Sequence, residues 1–278
     1  MVAISRVRLL FGAFLLLLAV VLFPSGMTAH HSWGKYHWFR TTNMLSLEVG
    51  DNLSLGWGAY LDAAVRDWNG GSSVPSVPSV LNLTERTSDV DPVSCPPTTG
   101  RIEVCNAAYG NNGWLGIAQI WVTSGSHIAA ATTRVNDTYF NQAFYNTPSW
   151  RQMVMCQEIA HDFGLDHQDE NFNNPNLGTC MDYTSDPDGP PSNVHPNTHD
   201  FEQLQEIYAH LDGGGGTGGG GRGRGRFGGA PIVPPGFAQV PVETRSQWGR
   251  MIRGNARGAL FDLDLGNGNH IFTFVIWA

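Results

Sequence analysis

Apolar and polar positions along the chain fall into blocks of distinct period. Leu45, Leu47 and Val49 alternate with polar residues, which predicts a strand, because successive strand side chains face opposite ways. Trp57, Leu61, Ala64, Val65 and Trp68 then recur at helical spacing, with Asp51 or Asn52 available as a cap and Gly70-Gly71 as a stop. Val80–Leu83 predicts a short strand. Ile102 and Val104, Ile117–Val122 and His127–Val135 predict three more, the second after the turn Asn111-Asn112-Gly113. Ser149-Trp150-Arg151-Gln152 reads as a capping box that opens a helix running to about Phe163, with Gly164 as its left-handed cap. Phe201, Leu204, Ile207, Tyr208 and Leu211 share one face of a helix near Asp200–Leu211. Toward the end, Ser246–Ile252 reads as helical, and Ala259–Leu265 with His270–Trp277 flank Gly266-Asn267-Gly268-Asn269 as a hairpin.

Two segments do not fit a packed domain. Arg6 and Arg8 precede the apolar run Leu9–Phe23, with small or polar residues after it. That run is shorter than the roughly 20 residues a bilayer-spanning helix needs, so residues 1–29 read as a cleaved signal peptide, with an uncleaved anchor as the other possibility. Gly213–Gly229 is low-complexity, and with Pro231–Pro235 it makes 213–236 a linker. The division expected is therefore 1–29 signal, 30–212 main domain, 213–236 linker and 237–278 a small module. Such a module is marginal alone and needs a surface to dock on.

Composition narrows the function classes. Hydrophobic residues make up 41% of the 278 and charged residues 14%, as in a folded extracellular protein. A formal charge of −8 argues against a nucleic-acid partner, since the one basic run is Arg222, Arg224 and Arg226 among glycines. No stable membrane association is expected after signal cleavage. The four cysteines, Cys95, Cys105, Cys156 and Cys180, predict two disulfides in an exported chain. Sequence permits three pairings, with Cys95–Cys105 and Cys156–Cys180 favoured and buried free thiols as the alternative.

The chemistry concentrates in Gln157-Glu158-Ile159-Ala160-His161-Asp162-Phe163-Gly164-Leu165-Asp166-His167. Residues four apart share a helical face, so Gln157 and His161 project together with Glu158 beside them. A turn at Gly164 would bring His167 back to the same point. Two imidazoles and a helix-borne carboxylate converging there suit Zn²⁺ with an open position for water, with Glu158 as general base. His161, His167, Glu158 or Met181 alone would each have an ordinary structural reading; their joint spacing changes that.

This segment resembles the metzincin zinc motif H-E-x-x-H-x-x-G-x-x-H at Glu158, His161, Gly164 and His167, and Gly178-Thr179-Cys180-Met181-Asp182-Tyr183 resembles that family's Met-turn. The order of elements over roughly 42–212 is similar too, closest to bacterial matrixin-like proteins. The resemblance implies an α+β fold: a twisted mixed sheet with an active-site helix, Met-turn and C-terminal helix. It implies a secreted zinc-dependent endopeptidase acting on peptide or protein substrates, with Met181 beneath the metal and Tyr183 a candidate for stabilising the oxyanion. His127–Val135 or its neighbour would be the edge strand that pairs with substrate. If the Met-turn lies under the active-site helix, Cys156 and Cys180 come close in space. One position departs from the motif. Gln157 replaces the first histidine, so Gln157 ligates, or another histidine (His30, His31, His37, His127, His195 or His199) replaces it, or the metal is lost. The alternative function is a catalytically inactive extracellular binding protein on the same scaffold. His195 and His199 otherwise read as loop residues. No propeptide cysteine that could keep such a site latent is recognisable.

Overall fold

The computed structural model describes residues 31–71, 77–123, 126–212 and 232–278. The signal segment, His30 and residues 213–231 of the expected linker lie outside them. The fold is α+β, a mixed sheet with few helices.

Strands β1 (His37–Trp38), β2 (Leu45–Asn52), β3 (Leu81–Thr87), β4 (Arg101–Ala107) and β6 (His127–Asn136) pair in parallel. Strand β5 (Trp114–Thr123) runs antiparallel to β6 on its outer side. The last three strands, β7 (Arg250–Gly254), β8 (Gly258–Gly266) and β9 (Asn269–Trp277), form an antiparallel meander that continues the same sheet. The order is β3-β2-β4-β6-β5-β9-β8-β7, with β1 beside the start of β6. Strand β6 is therefore internal. Its neighbour β5 would be the sheet edge without the last three strands, and β9 pairs with it there.

The helices α1 (Gly58–Trp68) and α3 (Pro148–His161) pack on one face of the sheet over a core that includes Trp68, Ile102, Met153, Phe163 and Phe201. The Trp68 indole N–H donates to the Cys156 carbonyl at 3.1 Å and ties the two helices together. A second apolar cluster lies on the other face of β5 and β9. There Phe237, Val242 and Trp248 pack with Trp114, Ile117 and Trp121. Every residue of β5 is buried, in keeping with its mostly apolar text, since a strand covered on both faces has no solvent side; its one amide, Gln119, donates to the Val242 carbonyl and to Thr273 Oγ1.

Several local expectations are corrected. Asp51 and Asn52 belong to β2 rather than capping α1, whose first position follows Trp57 without a side-chain cap. The parallel pairing of β2 with β3 and β4 outweighs the capping preference of those two residues. Helix α3 starts at Pro148 and is capped by the Thr147 hydroxyl, which accepts from the Trp150 N–H; proline suits a first helical position because its missing N–H has no partner there. His199 lies on α4 (Thr198–Ile207), where Asn197 and Asp200 form the capping box, so it is not a loop residue. Ser246–Ile252 is not a helix. A short 3₁₀ turn at Arg245–Gln247 gives way to β7, because pairing with β8 takes up that backbone. The hairpin of β8 and β9 forms as expected around Asn267, whose φ is 56°, and Gly268 at 75°.

Both favoured disulfides form, Cys95–Cys105 and Cys156–Cys180. The second joins the middle of α3 to the turn before Met181 across a sequence separation of 24. Peptide mapping without reduction is expected to recover these two linkages and no others. Replacing Cys156 and Cys180 with serine should lower unfolding free energy by about 3 kcal/mol, measured by denaturant titration. An unchanged denaturation midpoint would mean the bond does not brace the fold.

Candidate metal centre

Helix α3 carries Glu158 and His161 on its last turns, facing the sheet. After His161 the chain reverses at Gly164, whose φ is 99°; a Cβ there would come within 2.4 Å of the Tyr36 carbonyl oxygen. Leu165 N–H returns to the Ala160 carbonyl at 3.3 Å, and Asp166 N–H donates to the His31 carbonyl at 2.6 Å. This clamped reversal brings His167 back. The imidazole Nε2 atoms of His161 and His167 lie 3.1 Å apart.

The protons of those rings can be assigned from their other contacts. His161 Nδ1 is 2.8 Å from the Leu165 carbonyl oxygen, and His167 Nδ1 is 3.2 Å from Glu170 Oε1. Carbonyl and carboxylate oxygens only accept, so both Nδ1 atoms carry hydrogen and the two Nε2 atoms are turned toward each other. Burial, and then the neighbouring His167, push the His161 pKa well below its ordinary value, which favours a free lone pair on its Nε2. Donors about 2.0 Å from a tetrahedral zinc ion sit about 3.3 Å from each other, which the pair already approximates. Two of the donors that a zinc ion would need are thus in place.

Gln157 is fully buried; its Nε2 donates to the Cys180 carbonyl at 2.9 Å, while its Oε1 has no hydrogen-bond partner. An orphaned buried amide oxygen on the turn before His161 is a candidate third donor. The other histidines considered for that place are engaged elsewhere. His195 pairs with Asp67 at 2.5 Å, and His31 Nδ1 contacts the Asp166 carbonyl oxygen at 2.8 Å. His37 and His127 meet Asp212 at 3.2 and 3.3 Å, and His199 sits near Glu202. His30 is outside the described residues. Among the described residues, no group of three or more histidine, cysteine or carboxylate donors includes His161.

Glu158 is fully enclosed. Gly116 on β5 makes room for it: a Cβ there would meet Glu158 Oε1 at 2.7 Å. Burial, then the nearby Asp162, push its pKa well above the ordinary value, and the Ala118 N–H offsets this in part. Its Oε2 has no partner. Met181 is fully buried in the turn after the disulfide, where its N–H donates to Thr179 Oγ1 at 3.0 Å and its carbonyl accepts from Gln168 N–H at 2.6 Å. That second bond sets the turn beside His167. The Tyr183 ring lies against His167 with centroids 4.3 Å apart, and burial raises its pKa well above the ordinary value.

Sequence reasoning did not anticipate what closes the site. Phe274 of β9 stacks flat on the His161 ring, centroids 4.3 Å apart and planes within 8°. Gly258 of β8 lies against Tyr183, since a Cβ there would fall 1.6 Å from the hydroxyl oxygen. Arg253 of β7 pairs with Asp166 and, at 3.4 Å, with Glu170, and these contacts with His167 help hold the Asp166 carboxyl below its usual range against the effect of burial. Glu158, His161 and Tyr183 are at most 2% exposed as a result. His270–Trp277 was legible in the sequence as one side of a hairpin, but nothing local marked Phe274 as the residue facing His161.

A raised carboxyl pKa means the folded chain binds more protons than the unfolded one from the ordinary value of 4.5 upward, so its contribution to stability falls as pH rises through that range. In a chelator, Glu158→Gln is therefore expected to melt about 2–8 °C above wild type at neutral pH. The gap should shrink toward acid pH, where Glu158 is protonated whether the chain is folded or not. A lower melting temperature for the variant at neutral pH would contradict this assignment.

No known protein-family model matches the chain and no curated protein matches it, so the chemistry of this site has to come from its own geometry.

Proposed function

We propose that the chain is an exported zinc-dependent endopeptidase in a latent form, its substrate groove along β5 filled by its own strand β9. The observation that carries this reading is the pair of imidazoles His161 and His167, Nε2 atoms facing at 3.1 Å, on the same helix–turn as Glu158. The metzincin resemblance of Glu158, His161, Gly164, His167 and Met181 supports it.

In that reading His161 and His167 hold the zinc, with Gln157 Oε1 as the third candidate donor. The ion would supply Lewis acidity to a water molecule and to the scissile carbonyl. Glu158 takes the proton of the attacking water and hands it to the leaving amine. In the closed state burial, and then Asp162, push its pKa well above the ordinary value, which disfavours the carboxylate form that a base needs. The Tyr183 hydroxyl donates to the carbonyl oxygen as charge develops there, a position the close approach of Gly258 blocks.

Strand β9 occupies the place of an extended peptide. It pairs antiparallel with β5 from Trp114↔Trp277 to Val122↔His270, which is recognition by strand addition. Opposite Ala118, the Phe274 side chain fills the space over His161 where a substrate residue would sit. Two disulfides fit an oxidising compartment, and among the described residues no helix is long and apolar enough to cross a membrane. The net negative charge leaves peptide or protein substrate as the partner and no nucleic acid.

A second reading is favoured by the other face of β5. Trp114, Ile117 and Trp121 pack with Trp248, Phe261 and Ile271, so removing β9 bares large apolar surface. A module seated that firmly also suits a non-catalytic, metal-braced extracellular binding protein.

The two separate in one experiment. The full chain, cut within Gly213–Gly229 through an inserted protease site, is assayed on a diverse peptide library with zinc. Latency predicts at least about 10-fold faster cleavage after the cut, and a loss of about 100-fold or more in the cut Glu158→Ala variant. If neither the intact nor the cut chain cleaves any peptide while zinc is bound, the binding-protein reading stands instead.

A further inference from the structure

We infer that the chain has a second transition-metal site, built from His37, His210 and Asp212, at which a zinc-type divalent cation fastens the N-terminal segment to the end of the main domain. His37 Nε2 lies 3.2 Å from Asp212 Oδ1, His210 Nε2 lies 3.1 Å from the same oxygen, and the two Nε2 atoms are 3.2 Å apart. These three separations form a nearly equilateral triangle. Its edge matches the face of a coordination tetrahedron with donor distances of about 2.0 Å, where donors stand about 3.3 Å apart.

His37 Nδ1 sits 2.6 Å from the Lys35 carbonyl oxygen, which turns Nε2 toward the other two donors. Nε2 faces the Asp212 carboxylate oxygen and the His210 imidazole nitrogen, and a cation there would take the place of any proton they share. Asp212 is held in place from behind: its Oδ2 accepts the Arg40 N–H at 2.8 Å, and its own N–H donates to the Arg40 carbonyl at 2.8 Å, leaving Oδ1 for the imidazoles. The Arg40 guanidinium is directed elsewhere, to the carbonyls of Tyr208, His210 and Asn43. A third imidazole, His127, approaches Asp212 Oδ1 at 3.3 Å, and the β1–β6 register sets it directly opposite His37. His127 orients the carboxylate, and in doing so helps position it.

The elements that supply these residues are far apart in sequence: β1, the start of β6, and the segment after α4. A cation here would close a loop from residue 37 to residue 212, just before the Gly-rich segment. His37 is buried and Asp212 half-buried, while His210 is 56% exposed at its side chain, and the site borders a surface cavity of about 390 Å³ lined in part by Lys35, Gln203 and Glu206. The ion therefore has a way in and room for a water ligand. The other described donor group, Asp166, His167 and Glu170, carries no such inference, because Arg253 already neutralises its carboxylates.

Zinc stoichiometry of the full chain, after dialysis at micromolar free zinc, tests this independently of the peptidase reading. Wild type is expected to bind two zinc ions, the double variant His161→Ala/His167→Ala one, and His210→Ala one. His210 is half exposed, so its removal should not prevent folding, and Asp212→Asn provides a second variant with the backbone contacts kept. In the His161→Ala/His167→Ala background, zinc should raise the melting temperature, and His210→Ala or Asp212→Asn should abolish that rise and weaken zinc binding at least about 10-fold. If wild type binds one ion and His210→Ala removes it, this site stands and the one at His161 falls. If the double variant binds none, or neither His210→Ala nor Asp212→Asn changes the stoichiometry, the second site is overturned.

Discussion

The antiparallel pairing of β5 with β9 is the constraint on which the rest of this molecule depends. Without it, β5 would be an unpaired edge with apolar side chains on both faces, a template for association with other chains. With it, the last strands extend the sheet, Trp248 and its neighbours cover one face, and Phe272, Phe274 and Ile276 complete the core on the other. The same pairing register sets Phe274 opposite Ala118 and lays its ring on His161. Closing the sheet and closing the site are one structural event.

That closure has an electrostatic consequence. Glu158, His161, Asp162 and Tyr183 lie out of water, and burial pushes each toward its neutral form. Two imidazoles facing each other and an unsatisfied Gln157 oxygen gather potential cation donors in one pocket. A bound cation satisfies their lone pairs and favours the ionised carboxylate. Around this point the supports are redundant, with the Cys156–Cys180 bond, the Thr179–Asp200 contact and the Gly164 reversal each fixing one side. A pocket so firmly held but so thoroughly covered is what a latent enzyme and a metal-braced binding protein have in common.

Much of this was legible in sequence, and the failures have physical reasons. Alternation at Leu45, Leu47 and Val49 and at Ile102 and Val104 marked strands because one pattern serves one buried face. The His161–Gly164–His167 spacing foretold convergence because a helix followed by a glycine reversal leaves few other paths. Ser246–Ile252 failed because its local preference is weak and β8 supplies better partners. Asp51 and Asn52 failed because strand pairing competes with capping for the same backbone. What no local pattern could give was long-range contact. Phe274 looks like any apolar strand residue until its register with β5 is known. His37 is far in sequence from His210 and Asp212, and only the β1–β6 pairing and the Arg40 clamp on the segment after α4 bring them together.

The most direct test of the central claim, that the covered pocket beneath Phe274 is a metal site, is an anomalous difference map at the zinc edge from crystals of the full chain grown with zinc. The account predicts a peak within bonding distance of both His161 Nε2 and His167 Nε2. Well-ordered rings at those two residues with no peak between them would contradict it.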